Sequence, residues 1–181
     1  MKIIISPAKK MNIREDELEW ANLPCFLSRA EELKRYIQGL DLDQARKLWQ
    51  CNEKIALLNY GRFKEMDLER RLTPALLSYE GIQYQYMAPG VFEQGQWDYV
   101  QEHLRILSGF YGILKPLDGI VPYRLEMQAK VELPSGIKSL YDYWGSSICR
   151  ELAADETLIV NLASKEYSRA VEPYLDCLLY T

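Results

Sequence analysis

Two short apolar runs in this 181-residue chain each deliver the backbone into serine and lysine. Ile3-Ile4-Ile5 opens into Ser6-Pro7-Ala8-Lys9-Lys10, and Leu158-Ile159-Val160 opens into Asn161-Leu162-Ala163-Ser164-Lys165-Glu166. Hydroxyls beside ammonium groups can hold a phosphate or another oxyanion. If the two runs are parallel neighbouring strands, both polar ends emerge at one edge of a sheet, where open α/β sheets bind ligands. Ser164 would then open a helix whose free N–H groups and positive dipole end attract anions. Taken singly, each loop also fits a serine cap with a snorkelling lysine. Taken together, they point to a phosphate-binding cleft.

A second candidate lies between Arg105 and Lys115. The stretch from His103 to Pro116 reads as a helix, a hairpin carrying Ser108, Gly109 and Gly112, and the start of another helix. Two close glycines let a backbone approach a phosphate and donate its N–H groups, while the flanking cations neutralise charge. A simple left-handed turn fits the same residues. Arg124 and Glu126 are two apart in an alternating segment, hence on one face of a strand, either as a structural ion pair or as part of a site. His103 reads as a helix-surface residue rather than a general base. Ser164 lacks both a G-x-S-x-G setting and a histidine partner, and no P-loop or G-x-G-x-x-G is present. No standard catalytic constellation emerges, so no catalytic residue is assigned.

Composition limits what such sites can serve. The chain is 48% hydrophobic and 27% charged, as expected of a cored globule, and its net charge of −4 supplies no global cationic field. Any polyanion site must be a local patch. Residues 28–72 carry ten Lys/Arg against eight Asp/Glu, whereas residues 73–100 carry no basic residue. Cys25, Cys51, Cys149 and Cys177 are scattered, with a single histidine in the chain, so no metal site is expected and the thiols read as reduced, mostly core residues. No cofactor motif appears. The apolar N-terminal run is too short for a signal peptide and no run could span a membrane, so a cytoplasmic protein without membrane partners is expected.

The positioning elements follow from periodicity. Ile3-Ile4-Ile5 and Leu158-Ile159-Val160 read as strands covered on both faces. Helices are expected from Ser28 to Leu40, from a capping box at Asp41 and Gln44, from Asn52 to Phe63 with Ile55, Ala56, Leu58 and Asn59 on one side, after Thr73-Pro74, and from Gln96 to Leu107. A further helix follows Ser139, and a short one runs from Ser164 to Pro173. Tyr79 to Met87 and Tyr123 to Met127 read as strands, the second half-buried. The order implies one mixed α/β (α+β) domain over residues 1–181, a mixed sheet flanked by helices.

Five strings then stand in a specific order: Ile5-Ser6-Pro7-Ala8-Lys9, His103 to Asp118, Pro122 to Met127, Leu140 to Gly145, and Val160 to Tyr167. With them the chain resembles the bacterial peroxide stress protein YaaA family along essentially its whole length. The resemblance implies an oxidative-stress protein that limits iron-promoted peroxide damage. It also implies a DNA-binding fold with a positively charged cleft and a helix-hairpin-helix. Carried onto this chain, the hairpin falls on Ser108 to Gly112. The DNA- or phosphate-binding candidates are Lys9, Lys10, Arg105, Ser108, Gly109, Gly112, Lys115, Arg124, Ser164 and Lys165, with Ser6, Glu126, Asn161 and Glu166 in the cleft. Family members continue past the point where this sequence ends, through a Lys/Arg-rich segment, so weaker DNA binding is expected here. The alternative is an enzyme acting on a nucleotide or damaged base in the cleft of Ser6, Lys9, Asn161 and Ser164.

Overall fold

The computed structural model describes residues 1–14, 18–154 and 158–175, so Cys177 lies outside the described residues. The fold is mixed α/β. Strand β1 (Lys2–Ile5) is followed by β2 (Lys10–Met11), then by helices α1 (Leu27–Gln38), α2 (Leu42–Trp49) and α3 (Glu53–Lys64). Short elements come next: β3 (Thr73–Pro74), α4 (Ala75–Ser78), β4 (Tyr79–Glu80) and α5 (Ile82–Met87). Helix α6 (Gln94–His103) leads into β5 (Leu104–Ser108), β6 (Gly112–Leu114) and β7 (Gly119–Ile120). The chain closes with α7 (Leu140–Trp144), α8 (Ser147–Ala153), β8 (Ile159–Asn161) and α9 (Lys165–Ser168).

The main sheet has the order β6-β5-β1-β8. Strand β1 is parallel to both neighbours, pairing Ile4 with Arg105 on one side and with Asn161 on the other. The two apolar runs are therefore adjacent parallel strands, which meets the condition set for a shared polar edge. Ile4 and Ile5 are both buried, so both faces of β1 are covered. Strand β6 turns back antiparallel on β5, with Ser108 opposite Gly112.

Capping chemistry sets the helical layer. The Asp41 carboxylate accepts the N–H of Gln44 while Gln44 accepts that of Asp41, a complete capping box. Asn52 caps α3 and Ser139 caps α7. Gly145, at φ 49°, breaks the expected single helix after Ser139 into α7 and α8. Arg29 joins α1 to this pair: its guanidinium lies 4.4 Å and 4.5 Å from the ring centres of Tyr143 and Trp144 and donates to the Tyr143 carbonyl and the Ser147 hydroxyl.

Several expectations are corrected. Helix α6 stops at His103, and Leu104 to Leu107 form β5, because an apolar run with a buried parallel partner gains a ladder on joining the sheet. Tyr79 to Met87 is a strand only over β4. Beyond Gly81 it is helical, with Ile82 and Tyr86 outward and Tyr84 buried; alternating Tyr and Gln had imitated a strand period. Thr73-Pro74 pairs with β7 before α4 begins. Leu58 is exposed on α3, where Ala56, Asn59 and Phe63 face the core. Tyr123 to Glu126 joins no ladder and Met127 enters a turn; the segment is buried except at half-buried Arg124, which pairs with Glu126. Of the described cysteines, Cys149 is buried, Cys51 half-buried and Cys25 exposed, although the Cys25 thiol is turned inward to the Ile113 carbonyl.

The largest correction concerns the glycine hairpin. It is the β5–β6 turn, with no flanking second helix, and its tip is packed inside the protein. A Cβ on Gly109 would lie 2.4 Å from the Leu125 carbonyl oxygen. Gly112 has φ +77°, and a Cβ there would meet the Trp144 ring at 2.9 Å. The N–H groups of Phe110 and Tyr111 both donate to the Ser108 hydroxyl, at 3.2 and 2.9 Å. These donors serve the turn and face no phosphate. Glycine is required here for close packing of one segment on another.

Two predictions follow from this packing. Gly109→Ala lowers stability by about 3 kcal/mol, the order expected for overpacking against backbone. Gly61→Ala, mid-helix with nothing within 4 Å of its added Cβ, gains up to about 1 kcal/mol. Denaturant midpoints of both variants check this, and equal effects at the two sites would refute it. The second concerns Asp118, which is buried and accepts the Lys115 N–H at 2.8 Å. Burial pushes its carboxyl up to about 6, against the pull of that bond and of the Lys115 and Arg105 charges. Between pH 4 and 6 the folded state thus keeps a proton that the unfolded chain releases, and stability falls as pH rises through that window. Asp118→Asn removes this loss: its stability relative to the wild type should grow by about 3 kcal/mol from pH 4 to pH 7. A pH-independent difference in unfolding free energy would sink the assignment.

Candidate functional site

The carboxyl ends of β1 and β8 meet, and a hydrogen bond ties them together. The Ser164 N–H donates to Ser6 Oγ at 2.8 Å, and Ser6 Oγ donates to Ser164 Oγ at 3.1 Å. Leu162 N–H reaches the Ile4 carbonyl at 2.9 Å, continuing the ladder past β8. The Tyr84 hydroxyl holds the Ser6 carbonyl at 2.9 Å from below. Lys9 and Lys165, one on each loop, are both exposed at this edge of the sheet.

The extended segment after β7 brings a buried ion pair to the same edge. Arg124 Nη2 lies 2.8 Å from Glu126 Oε1, with side chains only 12% and 11% exposed. Lys9 Nζ approaches the same oxygen at 3.6 Å from solvent. The Gln128 N–H donates to Glu166 Oε1 at 3.3 Å, and the Tyr141 hydroxyl donates to the Glu166 carbonyl at 2.8 Å. Two cations, Lys9 and Arg124, therefore share the Glu126 carboxylate at this edge. A cavity of about 90 Å³ opens between Lys9, Trp49, Gln50, Arg124, Glu126 and Gln128.

Ser6, Lys9, Arg124, Glu126, Ser164, Lys165 and Glu166 are thus brought to one edge. Asn161 is there too, but its amide is occupied by the Ala163 N–H at 3.0 Å and Glu172 Oε1 at 3.3 Å. Lys10 is turned to Glu80 at 2.7 Å; with the Asn12 amide it holds the Glu80 carboxyl below its usual range. Ser108, Gly109 and Gly112 lie in the interior. Arg105 and Lys115 stand toward the amino-terminal end of β5, since Leu114 pairs with Ile106 and the chain then runs away from the carboxyl edge. They border a different cavity, of about 190 Å³, with Asn22, Cys25, Asp118 and Glu151. The sequence candidates are therefore split between two edges of one sheet.

Sequence reading missed a buried hydroxyl chain behind the site. Tyr123 OH lies 2.6 Å from Ser108 Oγ and 2.8 Å from Tyr79 OH. Burial pushes Tyr123 up to about 12 and raises Tyr79 and Tyr84 well above the usual phenol range, so these phenols stay protonated near neutral pH. The density of tyrosine over residues 79–86 and at Tyr111 and Tyr123 was the available signal. Trp49 and Gln128 were also missed as cavity walls: the helical period showed only that Trp49 is buried.

The hydroxyls and cations of this arrangement can bind an oxyanion. Each serine hydroxyl at the edge is engaged with the other, and among the described residues neither has a base within hydrogen-bond reach. The Cys25 thiol is pushed up to about 12 by burial and by the Glu151 and Asp118 charges, which disfavours the reactive thiolate. Among the described residues no three His, Cys, Asp or Glu side chains group closely enough to hold a metal ion, and no helix is long and apolar enough to cross a membrane.

Sequence comparison finds relatives that match almost the whole chain. A UPF0246 protein of Desulfitobacterium hafniense is 57% identical over 175 residues, covering 97% of this chain and 69% of the relative. UPF0246 proteins of Agathobacter rectalis and Lachnoclostridium phytofermentans are each 53% identical over the same share of this chain, covering 70% and 68% of their own lengths. Residues 1–178 match the family described as Peroxide stress protein YaaA, and the chain belongs to that family.

Proposed function

We propose that this protein binds DNA without regard to sequence at the carboxyl edge of β1 and β8, as a cytoplasmic component of the peroxide stress response that limits iron-promoted damage. The observation that carries the reading is the Ser164–Ser6 hydrogen bond at 2.8 Å, which fixes two lysine-bearing strand ends side by side. Lys9 and Lys165 supply solvent-facing charge there, and Arg124 supplies a third cation held in place by Glu126. The contacts are few, in keeping with a net charge of −4. The buried hairpin and the Arg105–Lys115 edge take no part in this reading.

Counterion release gives the test its scale. Neutralising about three phosphates yields a log–log salt slope near −3, and each lost contact reduces it by roughly 0.9. Fluorescence anisotropy with a labelled duplex between 50 and 200 mM salt should show that slope. Lys9→Glu with Lys165→Glu should bring it to about −1 or abolish binding, whereas Lys115→Glu should leave it unchanged. Salt-independent affinity, or equal loss at Lys115, would overturn the assignment.

A further inference from the structure

Two of the residues that wall the cavity beside the Arg124–Glu126 pair carry buried hydrogen-bond donors that the fold does not satisfy. Trp49 is 1% exposed and its Nε1–H has no acceptor. Arg124 Nε–H is likewise buried without an acceptor, while Nη2 is taken by Glu126 at 2.8 Å. Both residues wall the same space of about 90 Å³. Buried N–H groups are almost always paired, so two orphans converging on one cavity call for an acceptor from outside the chain. An indole N–H and a guanidinium N–H can only donate, so that acceptor brings oxygens.

Charge selects its class. Lys9 and Arg124 face Glu126 in this cavity, leaving one positive charge in excess, with Glu166 behind Gln128 as the next carboxylate outward. The Gln50 and Gln128 side chains at the wall add amide groups that bond to oxygen equally well. A planar guanidinium fork already fixed on one side is suited to an oxyanion on the other. Size then limits the ligand. The cavity is small, about 90 Å³, and open on one side, which suits a compact group of a few heavy atoms entering from solvent.

We propose that this cavity binds a single phosphoryl group projecting on one stalk, a terminal phosphomonoester or free phosphate. A phosphodiester within a strand carries a sugar on either side and cannot bring its oxygens to donors that lie wholly below the surface. A strand end can. The cavity lies at the edge proposed above for DNA, and the inference rests on that reading only for the source of the phosphate; the site itself does not.

The experiment follows the indole N–H resonances of ¹⁵N-labelled protein, with the Trp49 signal assigned by its absence in Trp49→Phe. Inorganic phosphate should shift that signal saturably and leave the signals of Trp20, Trp97 and Trp144 in place. Arg124→Lys keeps a cation beside Glu126 but loses the Nε donor and the fork, and should weaken phosphate binding at least tenfold. Lys9→Gln, which removes an exposed charge, should weaken it about threefold and serves as the second variant if Arg124→Lys folds poorly. A 5′-phosphorylated oligonucleotide that shifts the signal where its 5′-hydroxyl counterpart does not identifies a strand end as the source. A response to inorganic phosphate but to neither oligonucleotide supports the site with free phosphate as its ligand, and leaves the DNA reading to fail or stand by its own salt test. If no phosphate compound moves the Trp49 resonance saturably, water alone satisfies the two donors and the proposal is overturned.

Discussion

The close approach of the Leu125 backbone to Gly109 constrains most of what surrounds it. Without a Cβ at Gly109, the segment from Val121 to Met127 can lie directly across the tip of the β5–β6 hairpin. Trp144 seals the other side, donating its indole N–H to the Gly109 carbonyl at 3.0 Å and covering Gly112 with its ring. Phe110, at the turn, stacks on Tyr123 and meets Phe63 edge-on, which joins the helical layer to the sheet. The hairpin tip is thus a packing hub. Its buried N–H groups could not be left open for a ligand, because each needs a partner in the interior, and Ser108 supplies one acceptor for two of them.

That constraint also explains a buried charge pair in a segment with no strand partners. Once Leu125 is pressed against the hairpin, Arg124 and Glu126 leave the backbone on its other side, toward α2 and the end of β1. Desolvating two charges is costly, and their mutual attraction does little better than offset it, so the pair is weak evidence for stability. Its effect is positional. Glu126, held by Arg124 on one side and by Lys9 on the other, links the loop after β1 to this extended segment. The Gln128 N–H to Glu166 bond then links the same segment to α9. Three stretches distant in sequence are held at one edge by polar contacts, while the apolar core lies beneath them.

Much of this frame was legible in the residues. Two buried strands follow from two unrelieved apolar runs, and the Asp41–Gln44 box and the Asn52 and Ser139 caps follow from local hydrogen bonding that needs no tertiary context. The convergence of Ser6 with Ser164 was readable for the same reason, since it depends only on the strands being neighbours. What failed was decided by tertiary packing. Leu104 and Leu107 suit a helix face and a strand equally, and only a vacant edge of β1 settles between them. Glycines 109 and 112 advertise unusual backbone freedom, yet the sequence does not say whether a phosphate or a Trp144 ring fills the space. Lys10 and Arg105 looked like cleft cations because charge is visible in a sequence and its partner is not: Glu80 claims one, and the carbonyls of Gln101 and Leu104 claim the other.

The same distinction bears on how an acidic protein can present an anion site. At about 0.1 M salt the screening length is near 10 Å, so the net charge of −4 acts weakly across the molecule and the nearest groups decide. In the cavity at the carboxyl edge those groups sum to one positive charge: Lys9 and Arg124 against Glu126. A field that small attracts little from a distance. It gains force where solvent is excluded, because a donor such as Trp49 Nε1–H or Arg124 Nε–H interacts more strongly with an oxyanion in a recess than on an open surface. Exposed lysines at the lip and orphan donors in the recess are therefore complementary, one drawing the anion to the edge and the other holding it. A surface built only of exposed lysines would need many more of them, and the composition of this chain does not provide them.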